Sequence, residues 1–133
     1  MITGISHITF IVKDLEHTAN FLKCIFEANE VYSSLSVKYF QMGDLWIALN
    51  TGESLRERTY NHVAFQIYES DIDKYIKRIK NVGAEIKPDR QRVEGEGHSI
   101  YFYDFDNHLF ELHTGTLSER LTRCSKFNCE HKN

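Results

Sequence analysis

Residues 101–113 read Tyr101-Phe102-Tyr103-Asp104-Phe105-Asp106-Asn107-His108-Leu109-Phe110-Glu111-Leu112-His113. The apolar runs on either side of the Asp-Asn pair predict two antiparallel strands joined by a turn. Glu111 is the exception, because it lies between Phe110 and Leu112. Its carboxylate either points to solvent from the open face of a sheet or points inward towards a cation, since burying an unpaired charge is costly. Periodicity alone slightly favours solvent.

Two upstream segments indicate a degenerate internal repeat. Each consists of a polar residue, a histidine, a short apolar run and a phenylalanine: Ser6-His7-Ile8-Thr9-Phe10 and Asn61-His62-Val63-Ala64-Phe65. Each segment opens a strand that is followed by a helical pattern. If the two halves pack about a pseudo-twofold axis, we expect His7, His62 and Glu111 to converge on one point.

The spacing of the repeat supports a metal site. His62 follows His7 by 55 residues, and residues 45–49 match residues 108–112 at an offset of 63, which makes Ala48 the counterpart of Glu111. A lone histidine in a strand is usually a hydrogen-bonded structural residue, so the matched positions carry this hypothesis. Two histidines and one carboxylate with an open position are typical of a metal that binds substrate or water directly.

Length and composition limit the class of protein. The chain has 133 residues, of which 41% are hydrophobic and 13% aromatic, and its formal net charge is −3. This length fits one domain with its own core, and the composition argues against disorder. The negative charge argues against a nucleic-acid or membrane-surface partner. No apolar run approaches ~18 residues, so no segment is predicted to span a bilayer.

The termini and cysteines predict a cytoplasmic protein. The N-terminus has neither the basic region nor the apolar core of a signal peptide. Cys24, Cys124 and Cys129 form an odd set without a disulfide framework, which fits a reducing compartment. Cys124, Cys129 and His131 lie in a polar tail, where disorder is more typical than a metal cluster.

The predicted order of elements is the same in both halves. We therefore predict an α+β fold built of paired βαβββ modules. A single domain is expected to span residues 1–133. Module 1 covers about residues 1–50, module 2 about residues 59–115, and a helix and tail residues 116–133. In module 1 we expect strands at 5–12, 30–33, 37–42 and 45–49, and a helix from the Asp14 cap to about Glu27. In module 2 we expect strands at 60–67 and 84–87, a helix over about 71–82 capped by Ser70, and the hairpin of residues 101–113. Thr116 and Glu119 predict a capping box for the last helix.

From Met1 to about Arg123 the chain resembles the vicinal oxygen chelate superfamily. Within that superfamily it resembles the fosfomycin-resistance proteins most. The resemblance rests on motifs at residues 4–9, 43–46, 60–65, 99–102, 108–113 and 115–121. Residues 94–107 and 54–60 are most similar to the FosX type, which hydrates the epoxide of the drug.

The resemblance implies a Mn²⁺-dependent enzyme that inactivates fosfomycin, with the metal bound by His7, His62 and Glu111. It implies that Thr9 donates to the developing alkoxide. The substrate-binding positions of the family correspond to Tyr39, Trp46, Arg90, Tyr101 and Arg120. The family forms a homodimer that exchanges modules, so each site would take His7 from one chain and His62 with Glu111 from the other.

The chain departs from the FosX type at one position. Members of that type use a glutamate as general base just before a Lys-aromatic-Phe triplet, which here is preceded by Val37. Valine cannot accept a proton. Three consequences are open: another group or the metal activates water, hydrolysis is slow, or the enzyme transfers a thiol such as bacillithiol, cysteine or glutathione. Glu96, Gly97 and Ser99 partly resemble the K⁺-binding loop of the glutathione-using branch, whereas the loop from Arg90 to His98 resembles the FosX form.

Two other functions fit the same superfamily. A ring-cleaving Fe²⁺ dioxygenase would use the same three ligands, but such enzymes are usually longer and the sequence shows no second base. A metal-free drug-binding protein would sequester its ligand without turnover, and the intact set of three ligands argues against it.

Overall fold

The computed structural model describes the backbone of residues 1–88 and 97–127, and the side chains of residues 1–88 and 97–122. The first half contains β1 (Ile8–Val12), α1 (Leu15–Phe26), β2 (Asn29–Ser33), β3 (Val37–Met42) and β4 (Leu45–Thr51). The second half contains β5 (His62–Gln66), a 3₁₀ turn (Glu69–Asp71), α2 (Ile72–Asn81), β6 (Glu85–Ile86), β7 (Ser99–Tyr103) and β8 (Leu109–His113). The helix α3 (Leu117–Phe127) follows. The predicted α+β class with paired βαβββ units is confirmed.

The two halves form separate four-stranded sheets with the same topology. Their strand orders are β1-β4-β3-β2 and β5-β8-β7-β6, and the first strand of each runs parallel to the last. In the first sheet Ala48 pairs with Thr9 and Tyr39, and in the second sheet Glu111 pairs with Ala64 and Tyr101. Ala48 and Glu111 therefore occupy equivalent positions, as the offset of 63 residues predicts.

One face of each sheet is buried against the helices. Phe40, Phe102 and Phe110 lie in the core, and the Phe21 ring of α1 lies 5.9 Å from the Phe102 ring and 5.7 Å from the Phe110 ring. Because side chains alternate along a strand, the residues between these point to the opposite face. We call the two opposite faces the first open face (Thr9, Ile11, Tyr39, Trp46 and Ala48) and the second open face (His62, Ala64, Ser99, Tyr101, Glu111 and His113).

The first strand of each half begins later than the sequence pattern predicts. Pairing starts at Ile8 with Ile47 and at His62 with Leu109, so the predicted strands at 5–12 and 60–67 are each shortened. Apolar composition continues beyond the last residue that has a pairing partner, and the partner decides where a strand ends. As a result, His7 lies just before β1 and His62 is the first residue of β5.

Two of the three predicted helix caps are found. The Asp14 carboxylate accepts a hydrogen bond from the His17 backbone N–H at 3.1 Å. Thr116 and Glu119 form the capping box, with reciprocal bonds of 2.9 and 3.1 Å. The prediction of Ser70 as a cap is wrong, because residues 69–71 form a 3₁₀ turn and Asp71 precedes α2 without a side-chain cap bond.

Asp106, in the turn between β7 and β8, joins the two halves. Its side chain is buried and accepts hydrogen bonds from the Lys13 backbone N–H at 2.9 Å and from the Ser54 hydroxyl at 2.5 Å. Lys13 directly follows β1, and Ser54 lies in the segment between the halves. This carboxylate therefore fixes the first half and the connecting segment to the hairpin of the second half. Within the described residues, no helix combines the length and apolar composition needed to cross a bilayer.

We expect Asp106→Ala to lower the free energy of unfolding by about 1–3 kcal/mol, because it removes a buried carboxylate that accepts from the Lys13 N–H and the Ser54 hydroxyl. Urea denaturation measures the change. Asp44→Ala, in the exposed turn at the equivalent place in the first sheet, is the matched control and should stay within about 0.5 kcal/mol of the parent. Equal losses in both variants would show that Asp106 does not join the halves.

Candidate metal and substrate site

The second open face brings a histidine and a carboxylate into contact. Glu111 lies on this face, as periodicity favours, yet only 7% of the residue is exposed. Its Oε1 atom lies 3.0 Å from Nε2 of His62. The neighbouring Ala64 adds little bulk beside the carboxylate. The sequence left open whether Glu111 faces solvent or a cation, and the structure shows a buried carboxylate beside a metal-ligating type of side chain.

The orientation of the His62 ring determines which nitrogen faces Glu111. Nδ1 lies 2.7 Å from the Tyr60 carbonyl oxygen, which can only accept, so Nδ1 carries the proton. A neutral ring then directs the Nε2 lone pair at Glu111. A lone pair and a carboxylate oxygen at 3.0 Å repel each other unless a proton or a cation lies with them. An imidazole nitrogen and a carboxylate oxygen are donors that fit a divalent transition metal.

His7 lies apart from this pair, on the other sheet. Its ring packs on Trp46 at a centroid distance of 4.2 Å, and its Nδ1 lies 2.9 Å from the Ser6 hydroxyl. In the part of the chain that the structure describes, no group of three or more His, Cys, Asp or Glu side chains is placed to hold a metal. The expected convergence of all three ligands does not occur within one chain. The two sheets pack through their core faces, and each histidine belongs to a different open face.

The first open face carries Thr9, Tyr39 and Trp46. Thr9 and Tyr39 both pair with Ala48, so their side chains lie in one row across the sheet. The Tyr39 and Trp46 rings meet edge to face at 5.2 Å. These two residues also line a shallow cavity of ≈ 380 Å³ with Val31 and Gln41. The predicted pocket-wall residues are thus neighbours, on the same face as Thr9.

Tyr101 lies on the second open face, across the strand pair from Glu111. Its hydroxyl lies 2.9 Å from the Tyr60 hydroxyl, and its ring packs edge-on against His62 at 5.4 Å. Burial raises the pKa of the Tyr101 phenol, and the hydrogen bond with Tyr60 raises that pKa further. Tyr101 therefore keeps its proton at neutral pH and is available as a donor.

The remaining predicted residues lie elsewhere. Arg120 is exposed in the first turn of α3. Arg90 lies outside the described residues, as do the side chains of Cys124 and Cys129. Val37 is the first residue of β3, on the same face as Tyr39. Its backbone N–H and carbonyl both bond to Ser34, so the β2–β3 connection is a tight turn.

The sequence analysis assigned no role to Tyr60, and it named Ser99 only for a partial resemblance to a K⁺-binding loop. Tyr60 contacts the site twice, through its carbonyl oxygen to His62 and its hydroxyl to Tyr101. The Ser99 hydroxyl lies 2.6 Å from Glu111 Oε2. Alternation along β7 places Ser99 on the same face as Tyr101, and that signal was available in the sequence. No comparable signal exists for Tyr60, because it precedes β5.

We expect Tyr60→Phe to lower the pKa of Tyr101, because the lost hydrogen bond contributes to raising it, while burial still holds that pKa above the ordinary value. The phenolate of Tyr101 should then appear at lower pH in ¹³Cζ-tyrosine NMR titrations, with Tyr101→Phe used to assign the signal. Tyr68→Phe, at an exposed position, should leave the titration unchanged. An unchanged Tyr101 curve in Tyr60→Phe would contradict the hydrogen bond.

Comparisons with known proteins agree with this geometry. Residues 4–112 match the model of the Glyoxalase/Bleomycin resistance protein/Dioxygenase superfamily. The "Fosfomycin resistance protein FosX" of Listeria innocua is 59% identical over 133 residues, covering 95% of this chain and all of the relative. The "Metallothiol transferase FosB" of Shouchella clausii is 41% identical over 131 residues, covering 95% of this chain and 90% of the relative.

A solved structure extends the likeness to the backbone. It is a mutant of the fosfomycin resistance protein FosX from Listeria monocytogenes, complexed with Mn(II) and 1S,2S-dihydroxypropylphosphonic acid. It is 61% identical to this chain with a TM-score of 0.89, and the match covers 92% of this chain and 98% of that one.

Proposed function

This chain belongs to the glyoxalase/bleomycin resistance protein/dioxygenase superfamily and, within it, to the fosfomycin resistance proteins, and we propose that it inactivates fosfomycin by opening the epoxide with water. The observation that carries the proposal is the likeness to the Listeria monocytogenes structure, which contains Mn(II) and a dihydroxypropylphosphonic acid. That diol is the compound that hydration of an epoxypropylphosphonic acid produces.

The proposed cofactor is Mn²⁺, bound by His62 and Glu111 of one chain and His7 of a second chain. The contact between His62 Nε2 and Glu111 Oε1 supports this assignment, because a divalent cation can replace the proton that such a contact otherwise needs. When bound, the metal supplies a Lewis acid for the epoxide oxygen. The Tyr60 carbonyl holds the His62 ring in the tautomer that a metal ligand requires.

The proposed assembly is a homodimer with two sites, in which module 1 (about residues 1–50) of one chain faces module 2 (about residues 59–115) of the other. The first open face exposes Ile11 (43%) and Trp46 (39%), and Val31, which lines the cavity beside it, is 60% exposed. Tyr60, which contacts Tyr101 at the edge of the second open face, is 62% exposed. Exposed apolar patches of this kind mark interaction surfaces. Packing one open face on the other would bring His7 to His62 and Glu111.

The remaining roles concern binding and charge. Thr9 is proposed to donate to the oxygen that gains negative charge as the epoxide opens. The protonated Tyr101 hydroxyl and the Arg90 and Arg120 guanidinium groups are proposed to bind the phosphonate, an anion that arginine holds with two parallel hydrogen bonds. Tyr39 and Trp46 are proposed to form the wall against the rest of the substrate. We place the reaction in the cytoplasm, where a free and exposed Cys24 stays reduced.

We infer that hydration by this chain proceeds without a carboxylate at position 37. Val37→Glu should therefore raise the rate of diol formation by about 10²-fold, at the low end of what a positioned general base contributes. Val37→Gln is the matched control, since the amide has the same shape and cannot take the proton. Stopped assays by ³¹P NMR measure both, and equal rates would show that position 37 cannot deliver a base.

A thiol transferase is the second candidate, and Val37 is the observation that favours it. A thiolate is already a strong nucleophile and needs no base at that position. The 41% identity to a metallothiol transferase of Shouchella clausii agrees with this alternative.

The deciding experiment incubates the Mn²⁺-loaded protein with fosfomycin, with and without cysteine, bacillithiol or glutathione, and follows the products by ³¹P NMR. We expect the diol to form without any thiol. Product that forms only with a thiol would identify a transferase, and no product under any condition would exclude fosfomycin as substrate.

We expect His62→Ala and Glu111→Ala each to abolish tight Mn²⁺ binding and activity, because each removes a proposed ligand. His17→Ala, on the exposed side of α1, is the control and should bind and react like the parent. Circular dichroism checks that the variants fold. Full activity in either ligand variant would refute the metal site.

A further inference from the structure

The two oxygens of the Glu111 carboxylate have different surroundings. Oε1 faces Nε2 of His62 at 3.0 Å. Oε2 lies 2.6 Å from the Ser99 hydroxyl and 3.2 Å from Nδ1 of His113. One oxygen is therefore occupied by hydrogen bonds within the sheet, and the other is directed at the proposed metal ligand.

The hydrogen bonds around Oε2 have only one consistent direction. A carboxylate accepts, so the single Ser99 hydroxyl proton is donated to Oε2. The Ser99 oxygen then accepts from His113, whose Nδ1 lies 2.7 Å away and must carry a proton. The result is a directed chain from His113 to Ser99 to Glu111.

The backbone holds this chain in place. Ser99 and His113 are directly paired across β7 and β8, and Glu111 lies two residues earlier on the same face of β8. The backbone N–H of Ile67 donates to the His113 carbonyl at 2.9 Å, which ties the end of β8 to the end of β5. The side chains can therefore meet without moving the sheet.

The first sheet provides an internal comparison. Ala48 occupies the position equivalent to Glu111. Two residues further along β4, Asn50 pairs with Val37. The equivalent pair in the second sheet is His113 with Ser99. The first sheet forms the same topology without any of the three polar residues. The sheet topology itself therefore does not require a Ser–His pair at these positions, and the pair lies in the sheet that carries the carboxylate.

We propose that Ser99 and His113 are positioning residues for Glu111, which hold Oε2 so that Oε1 alone is presented beside His62 to a divalent cation. This inference rests on the proposed function. It restricts the carboxylate to one orientation before the metal binds, so less side-chain freedom is lost on binding. Partners of this kind typically change metal affinity by 10–100-fold.

The test measures Mn²⁺ affinity directly, without substrate, by the EPR signal of free Mn²⁺ during titration of the purified full chain. Ser99→Ala should weaken binding by about 10–100-fold, whereas Ser99→Thr, which keeps the hydroxyl, should stay close to the parent. His113→Phe should weaken binding as well, and His113→Asn, whose amide N–H can replace Nδ1–H, should restore most of it. The two pairs keep the test valid if one alanine or phenylalanine variant does not fold.

Asn50→Ala, at the position equivalent to His113 in the first sheet, is the matched control and should bind like the parent. The EPR spectrum of bound Mn²⁺ should change in Ser99→Ala, because the carboxylate is free to offer both oxygens, and should not change in Ser99→Thr. Parent-like affinity in Ser99→Ala, with Glu111→Gln still losing the metal, would overturn this inference and leave the proposed function intact. Parent-like affinity in Glu111→Gln would overturn both.

Discussion

The Glu111 carboxylate has to be buried and compensated at the same time, and the second sheet is arranged around that requirement. A charge removed from water is costly unless partners replace its hydration. Ser99 and His113 satisfy one oxygen, and the other faces the His62 nitrogen whose opposite side is fixed by the Tyr60 carbonyl. These contacts place an imidazole nitrogen and a carboxylate oxygen 3.0 Å apart, an arrangement that either a proton or a cation stabilises.

The second constraint is that each sheet packs only one of its two faces against the shared hydrophobic core. Phenylalanines from both sheets and from α1 occupy the shared interior, so the polar and aromatic residues of both open faces point away from it. His7 and Trp46 are therefore separated from His62 and Glu111 within one chain. The proposed three-ligand site therefore takes His7 from a second copy, and the exposed apolar side chains on and beside the first open face agree with the proposed homodimer.

Val37 is the residue that fits the proposed hydration least, because valine cannot act as a general base. A tight turn closed by hydrogen bonds between Ser34 and Val37 makes the connection from β2 to β3 short. The first residue of β3 on the open face is therefore the apolar Val37. The equivalent position in the second sheet is Ser99, next to the carboxylate. Polar chemistry is thus concentrated on the second open face, while the first contributes an aromatic surface and Thr9.

The sequence by itself determined the repeat, the order of the elements, and the equivalence of Ala48 and Glu111, because these follow from local periodicity and constant offsets along the chain. The caps at Asp14 and Thr116 were predictable for the same reason, since a cap depends on neighbours within four residues. Only the tertiary structure decided that Glu111 is buried on an open face, that His7 lies apart, and that Tyr60 contacts the site. Those features depend on which face each sheet turns to the core and on contacts between strands 12 to 50 residues apart, and a pattern along one chain does not encode such distances.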